Sequence, residues 1–213
     1  MLSGDPGSGK TTGVKSLDPK TTYFIDCDGK GLSWVGWKKD YNVEAKNYAK
    51  TKDPTIIYKT IKAIHDNRPD VKEIVVDTIS SIMTNQEMDI MKNPSRDQWA
   101  DLAGSIYDLF DLVSELPRED LIIYFMAHTE TYEVNGITHR RIKTNGKKLT
   151  KINLNGFLSY NLYTRIVSDG NKLAYSLITN SDGTTEARSP MGMFPFEIEN
   201  NLKSVSDTIR NTA

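Results

Sequence analysis

Three short apolar runs stand out along the chain, and each ends on polar side chains. Thr21-Thr22-Tyr23-Phe24-Ile25 leads into Asp26-Cys27-Asp28-Gly29, Lys72-Glu73-Ile74-Val75-Val76 ends at Asp77, and Leu121 to Ala127 ends at His128. Unbroken runs of this length, rich in β-branched and aromatic residues, predict strands buried on both faces, as in a parallel sheet. Between them the period changes to that of a helix. Asp53-Pro54 offers an N-cap and a first-turn proline, Ile56, Ile57, Ile61 and Ile64 recur at helical spacing to about Asn67, and Pro69 closes the segment. A longer stripe, Trp99, Leu102, Ile106, Leu109, Phe110, Val113 and Leu116, follows Ser95-x-x-Gln98, which resembles a capping box. That stripe reads as core.

The second half alternates differently. Asn135-Gly136 between Tyr132-Glu133-Val134 and Ile137-Thr138-His139 is a strong two-residue hairpin signal. Leu162 to Val167 and Leu173 to Thr179 flank Asp169-Gly170-Asn171 as a second hairpin, and Ile198, Leu202, Val205 and Ile209 mark one side of a closing helix. The expected fold is α/β: a single domain over residues 1–213, with a mostly parallel sheet flanked by helices and antiparallel hairpins toward the C-terminus. Trp34, Trp37 and Tyr41 either stack a base or plug a loop onto the core, and the second use is the commoner one.

Composition narrows the class. At 213 residues, with 38% apolar and 26% charged residues, the chain has the makeup of a soluble globular domain. A net charge of −1 gives no overall bias toward nucleic acid or membrane, so a polyanion site must be a local patch. One cysteine, Cys27, excludes an internal disulfide and suits a reducing cytoplasm. His65, His128 and His139 lack metal-ligand spacing, and no apolar run reaches membrane-spanning length.

The chemistry starts at Gly4-Asp5-Pro6-Gly7-Ser8-Gly9-Lys10-Thr11, followed by Thr12. This fits G-x-x-x-x-G-K-S/T at every fixed position. The glycines let successive N–H groups turn inward as an anion nest, and a helix opening at Lys10 adds its positive end. Lys10 can then reach the β- and γ-phosphates of ATP, and the Thr11 hydroxyl can hold Mg²⁺. A phosphate loop is normally fed by a buried strand, yet only Met1-Leu2-Ser3 precede Gly4. Of a barely present strand and a chain that begins further upstream, the second is expected.

In open parallel sheets ligands bind beyond the carboxyl ends of the strands, so Asp28, Asp77 and His128 are candidates to meet one nucleotide. Asp77 would help hold Mg²⁺, or cap the helix that begins near Thr78. Asp28 would orient the attacking water, or serve as a turn residue before Gly29. His128 would sense the γ-phosphate, or be a satisfied strand-end histidine. Behind it, residues 130–151 carry Arg140, Arg141, Lys143, Lys147, Lys148 and Lys151 against Glu130 and Glu133, a local surplus of four positive charges. With Tyr132 interleaved, this stretch suits single-stranded nucleic acid, although a solvated basic face has the same composition.

The set GDPGSGKTT, YFIDCDGKG, EIVVDTISS and LIIYFMAHTE resembles the RecA-like recombination ATPases, and more closely their small phage-encoded members associated with single-strand annealing. The ending EARSPMGMFPFEIENNLKSVSDTIRN is similar to those phage ATPases too. The resemblance implies a RecA-like P-loop core, ATP hydrolysis coupled to single-stranded DNA binding, homo-oligomeric rings or filaments, and a cytoplasmic setting in the host cell. It sets Asp28 at the family's catalytic glutamate, one methylene shorter, and His128 at an amide sensor. It sets residues 130–151 at the second DNA-binding loop. Arg188 falls near a basic finger that reaches a neighbour's γ-phosphate, with an ion pair to Glu186 as the plainer use. A nucleotide-gated scaffold or loader for replication proteins is the alternative function. A small-molecule kinase is disfavoured by the long interval before the VVDT strand end and the lack of an arginine-rich lid.

Overall fold

The computed structural model describes residues 1–94, 97–146, 149, 151, 154–170 and 172–212. Its strands are β1 (Leu2–Ser3), β2 (Thr22–Asp26), β3 (Tyr48–Lys50), β4 (Glu73–Asp77), β5 (Ile122–Ala127), β6 (Thr129–Val134), β7 (Ile137–Ile142), β8 (Leu162–Asp169), β9 (Lys172–Ile178) and β10 (Glu197–Glu199). The α-helices are α1 (Lys10–Gly13), α2 (Pro54–Asn67), α3 (Ile79–Lys92), α4 (Gln98–Glu115) and α5 (Leu202–Thr212). Eight strands form one sheet in the order β10-β9-β8-β1-β5-β4-β2-β3, and β6-β7 stand apart as a hairpin. From β3 to β8 all neighbours are parallel, and β9 and β10 add antiparallel pairs. This is the expected α/β architecture: a mostly parallel sheet with antiparallel strands toward the C-terminus.

Alternation along the central strands sorts two cores. Ile25, Ile74, Val76, Phe125 and Ala127 face one side, where Ile57 and Ile61 of α2, Ile82 of α3 and Leu102 and Ile106 of α4 cover them. Phe24, Val75, Tyr124 and Met126 face the other, against Val14, Leu17, Tyr41 and Leu202 and Val205 of α5. Both faces being covered explains why these strands are apolar throughout rather than alternating. Tyr41 is fully buried, and Trp34 and Trp37 pack beside it, so the three aromatics act as the core plug.

The strand that feeds the phosphate loop is two residues long, and Leu2 and Ser3 sit centrally, paired with Met126 and Ala127 on one side and Leu162 and Tyr163 on the other. Other expectations need correcting. Ile56 faces solvent rather than the core, because one position in the helical stripe overshoots the buried arc. Ile198 belongs to β10 and not to the closing helix, since Glu197–Glu199 pair with β9. Asp53 does cap α2, accepting from the backbone N–H of Thr55. For α4 the N-cap is Asp97, while Ser95 of the proposed capping box, like Asn171 of the second hairpin turn, lies outside the described residues.

Candidate nucleotide site

The phosphate loop is held by neighbours from distant parts of the chain. Gly7 and Gly9 have φ of 79° and 95°, the left-handed region that glycine reaches without penalty. A Cβ on Gly9 would meet the Tyr175 ring of β9 at 2.5 Å, and one on Gly4 would meet the Thr164 hydroxyl of β8 at 1.8 Å. Ser8 Oγ donates to the Asp5 carbonyl at 2.6 Å and shares a hydrogen bond with Thr164 at 2.5 Å. Asn200 Nδ2 donates to the Gly9 carbonyl at 2.7 Å from the far end of the sheet. The helix that follows is four residues long and tightens into a 3₁₀ turn at Val14–Ser16. Its dipole is therefore small, and the loop's own amides carry most of the anion-binding character.

Pro6, Gly7, Gly9, Thr12 and Tyr175 line a cavity of about 340 Å³ together with Lys10, Thr11, Asp28, Asp77, Thr78 and His128. The sequence-derived candidates of the three strand ends thus share one wall-to-wall site with the phosphate loop. Lys10 Nζ donates to the carbonyls of Gly4 and Asp5 at 2.7 and 2.9 Å. Burial, partly offset by the charges of Asp77, Asp5 and Asp28, lowers its pKa to about 8.

Thr11 Oγ1 donates to Asp77 Oδ2 at 2.6 Å. Burial, opposed by that hydrogen bond, pushes Asp77 up to about 6. A hydroxyl beside a carboxylate, next to a ready phosphate cradle, fits the oxygen-donor chemistry of Mg²⁺, which takes one or two protein ligands and completes its shell from phosphate and water. Among the described residues there is no cluster of three or more acidic, histidine or cysteine side chains able to hold a metal without such help. Asp77 is not the cap of α3. Thr78 is, accepting from the Ser81 N–H at 3.3 Å; the Asp77–Thr78 peptide is cis.

Asp28 is gripped by α3. Its Oδ1 accepts from Thr78 Oγ1 at 3.1 Å and from Ser81 Oγ, with Lys30 at 3.4 Å from Oδ2. Burial alone would raise its pKa, but the Ser81 hydrogen bond, the Lys30 charge and the Thr78 hydrogen bond hold it below the usual range. His128 is half-buried, and its backbone N–H donates to Ser80 Oγ at 2.9 Å. Burial first, then the Lys10 charge, lower the imidazole below its ordinary pKa, so it is neutral at pH 7.

The basic stretch divides. Arg140 is turned inward, 3.5 Å from Asp5 Oδ2 and above the Tyr163 ring at 5.8 Å. Arg141 pairs with Glu130 at 2.8 Å and lies 4.9 Å over Tyr132, which stacks on His139. Lys143 is exposed, while Lys147 and Lys148 lie outside the described residues. Arg188 is exposed and outside the cavity of its own chain. Its guanidinium donates to the Asn155 carbonyl at 3.3 Å rather than pairing with Glu186, whose carboxylate accepts from Ile142 N–H.

Thr164, Tyr175, Asn200 and Ser81 were not found by sequence reasoning. Each meets the loop or Asp28 across a gap of 53 residues or more, so no local pattern could have announced them.

A mostly parallel sheet with a phosphate loop leaving its central strand defines a nucleotide-binding P-loop ATPase domain. More particularly, a family model described as an AAA domain matches residues 1–191, and the chain belongs to that family. No curated protein matches it. Among solved structures, one similar chain is a KaiC-like protein from the hyperthermophilic archaeon Pyrococcus horikoshii, 14% identical, with 83% of this chain and 75% of that chain covered and a TM-score of 0.44. Among the described residues no helix is long and apolar enough to cross a membrane.

Proposed function

We propose that the chain is a single-domain, Mg²⁺-dependent ATPase that binds single-stranded DNA through the β6–β7 hairpin and serves strand annealing or recombination. The observation that carries the ATPase reading is the meeting of Lys10, Thr11, Asp28, Asp77 and His128 in one cavity. Gly4 to Thr12 cradle the phosphates, and Lys10 supplies charge to the β- and γ-groups. Thr11 and Asp77 would hold Mg²⁺, which neutralises phosphate charge as it develops in the transition state. Asp28, kept ionised by its hydroxyl partners, orients the attacking water. Neutral His128 hydrogen-bonds the terminal phosphate or that water.

DNA binding draws on Arg141, Lys143, Lys147 and Lys148 for phosphates, with Tyr132 as a stacking surface. Arg140 contributes less than composition alone suggests, because its charge is already turned toward Asp5. Arg188, exposed and away from its own cavity, acts on a neighbour's nucleotide in a ring or filament. ATP turnover with and without single-stranded DNA, at low and high salt, tests this reading. Salt-sensitive stimulation that is lost in Arg141→Ala/Lys143→Ala supports it, and stimulation unchanged by those substitutions removes the hairpin from it.

One observation favours a second reading. Arg140 and Arg141 spend charge on Asp5 and Glu130 within the chain. A nucleotide-gated oligomeric scaffold or loader would show ATP-dependent assembly with negligible DNA stimulation.

A further inference from the structure

Asp26 closes β2 two residues before Asp28, is only 2% exposed, and is absent from the cavity wall. Its carboxylate is nevertheless fully engaged. Oδ1 accepts from the backbone N–H of Gly29 at 2.6 Å, and Oδ2 accepts from the Gly31 N–H at 2.9 Å and the Tyr48 hydroxyl at 2.7 Å. Gly29 and Gly31 have φ of 74° and 75°, so the loop curls back around the carboxylate in a way that side chains with a Cβ resist. The loop so gripped carries Asp28 and Lys30, both of which line the cavity.

We propose that Asp26 is a positioning residue for ATP hydrolysis: it clamps the main chain of the 27–31 loop from behind, so that the Asp28 carboxylate meets the attacking water at a fixed place. The inference rests on the reading of Asp28 as the water-orienting group. Asp28 is anchored at three points. Its own N–H donates to the Asp77 carbonyl at 3.2 Å, Thr78 and Ser81 hold its side chain, and Asp26 holds the main chain that follows it. Backbone donors bonded to an ionised acceptor are among the stronger hydrogen bonds in proteins. An asparagine at this place has one acceptor oxygen and turns an NH₂ toward groups that are themselves donors, so at least one grip is lost. Displacement of a catalytic group by about 1 Å costs up to about a hundredfold in rate. The phosphate loop is carried by β1 and α1, separate from this clamp, so nucleotide affinity is spared.

The test is single-turnover hydrolysis and ATP affinity for wild type, Asp26→Asn, Tyr48→Phe, Asp28→Asn and the Asp26→Asn/Asp28→Asn double variant. Asp26→Asn is expected to lower kcat by about ten- to a hundredfold with ATP affinity within about threefold, and Tyr48→Phe to lower it by a few-fold. In the Asp28→Asn background the Asp26 substitution should cost nothing further, because its effect runs through Asp28. An equal loss in that background, or wild-type kcat in Asp26→Asn, would overturn the proposal. If Asp26→Asn does not fold, Tyr48→Phe decides: unchanged kcat overturns the clamp. Wild-type turnover in Asp28→Asn would instead sink the Asp28 assignment itself, and that arm reports it separately.

Discussion

Arg140 Nη2 lies 3.5 Å from Asp5 Oδ2, joining the base of the β6–β7 hairpin to the phosphate loop. Thr129 at the start of β6 donates to the same Asp5 carboxylate, so both strands of the hairpin touch one residue of the loop. The pair is partly solvent-exposed, which limits its worth to about 0.2–1 kcal/mol. Arg140→Ala should therefore leave the fold intact but loosen the hairpin, seen as faster amide exchange over residues 129–142. Arg141→Ala should weaken DNA binding while leaving the contact between the hairpin and Asp5 in place. Unaltered exchange in Arg140→Ala would show that the contact holds nothing in place.

Gly9 has no room for a side chain. Gly9→Ala puts a methyl into the Tyr175 ring at a φ of 95°. Strained backbone and overpacking together are expected to cost about 2–4 kcal/mol and to lower ATP affinity tenfold or more. Gly136→Ala is the control: its φ is +78° with nothing within 4 Å, so it should cost about 1–2 kcal/mol and leave ATP binding alone. Equal effects of both on ATP affinity would separate the loop's shape from nucleotide binding.

His128 gives a pH signature. Its folded-state pKa lies below the ordinary 6.5, so the folded protein binds fewer protons than the unfolded chain as pH falls. That contribution to stability is intact above pH 6.5 and is lost as pH drops below it. Asp77, pushed up to about 6, acts in the opposite direction and stabilises the fold as pH falls through that value. The His128 contribution is therefore read by difference: the change in urea midpoint from pH 7 to pH 5.5 should be more favourable in His128→Gln, which cannot titrate, than in the wild type. That variant should also keep most of the turnover, because an amide can make a neutral imidazole's hydrogen bond, whereas His128→Ala should lose about tenfold. A glutamine variant as impaired as the alanine one would contradict the sensor role.

Asp28→Asn should reduce turnover by about a hundredfold or more while ATP affinity changes by less than threefold, measured by single-turnover kinetics beside equilibrium binding. A parallel rise in dissociation constant would make Asp28 a binding residue.

Much of the fold was legible because two-sided burial leaves an apolar signature in β2, β4 and β5, and because Asp53-Pro54 and Asn135-Gly136 report local backbone needs. The edge strand Tyr48–Lys50 was not, being three residues without a pattern of its own. Ile198 looked helical by its spacing to Leu202, yet pairing with Leu177 decided its place. In the site, Lys10, Thr11, Asp28, Asp77 and His128 were found from strand ends and loop spacing. Asp26 was seen only as part of a strand end, and its grip on Gly29 and Gly31 needs the curl of the loop to be visible. Arg140 was grouped with the other cations since charge alone does not say which way a side chain on a hairpin turns.

The most direct measurement is a calorimetric titration of the purified chain with ATP and Mg²⁺, run beside Lys10→Ala. A single class of sites on the wild type, weakened at least tenfold in the variant and weakened again when Mg²⁺ is withheld from the wild type, is the predicted result. Equal affinity in the two proteins would contradict it and place any nucleotide somewhere other than the cavity around Lys10.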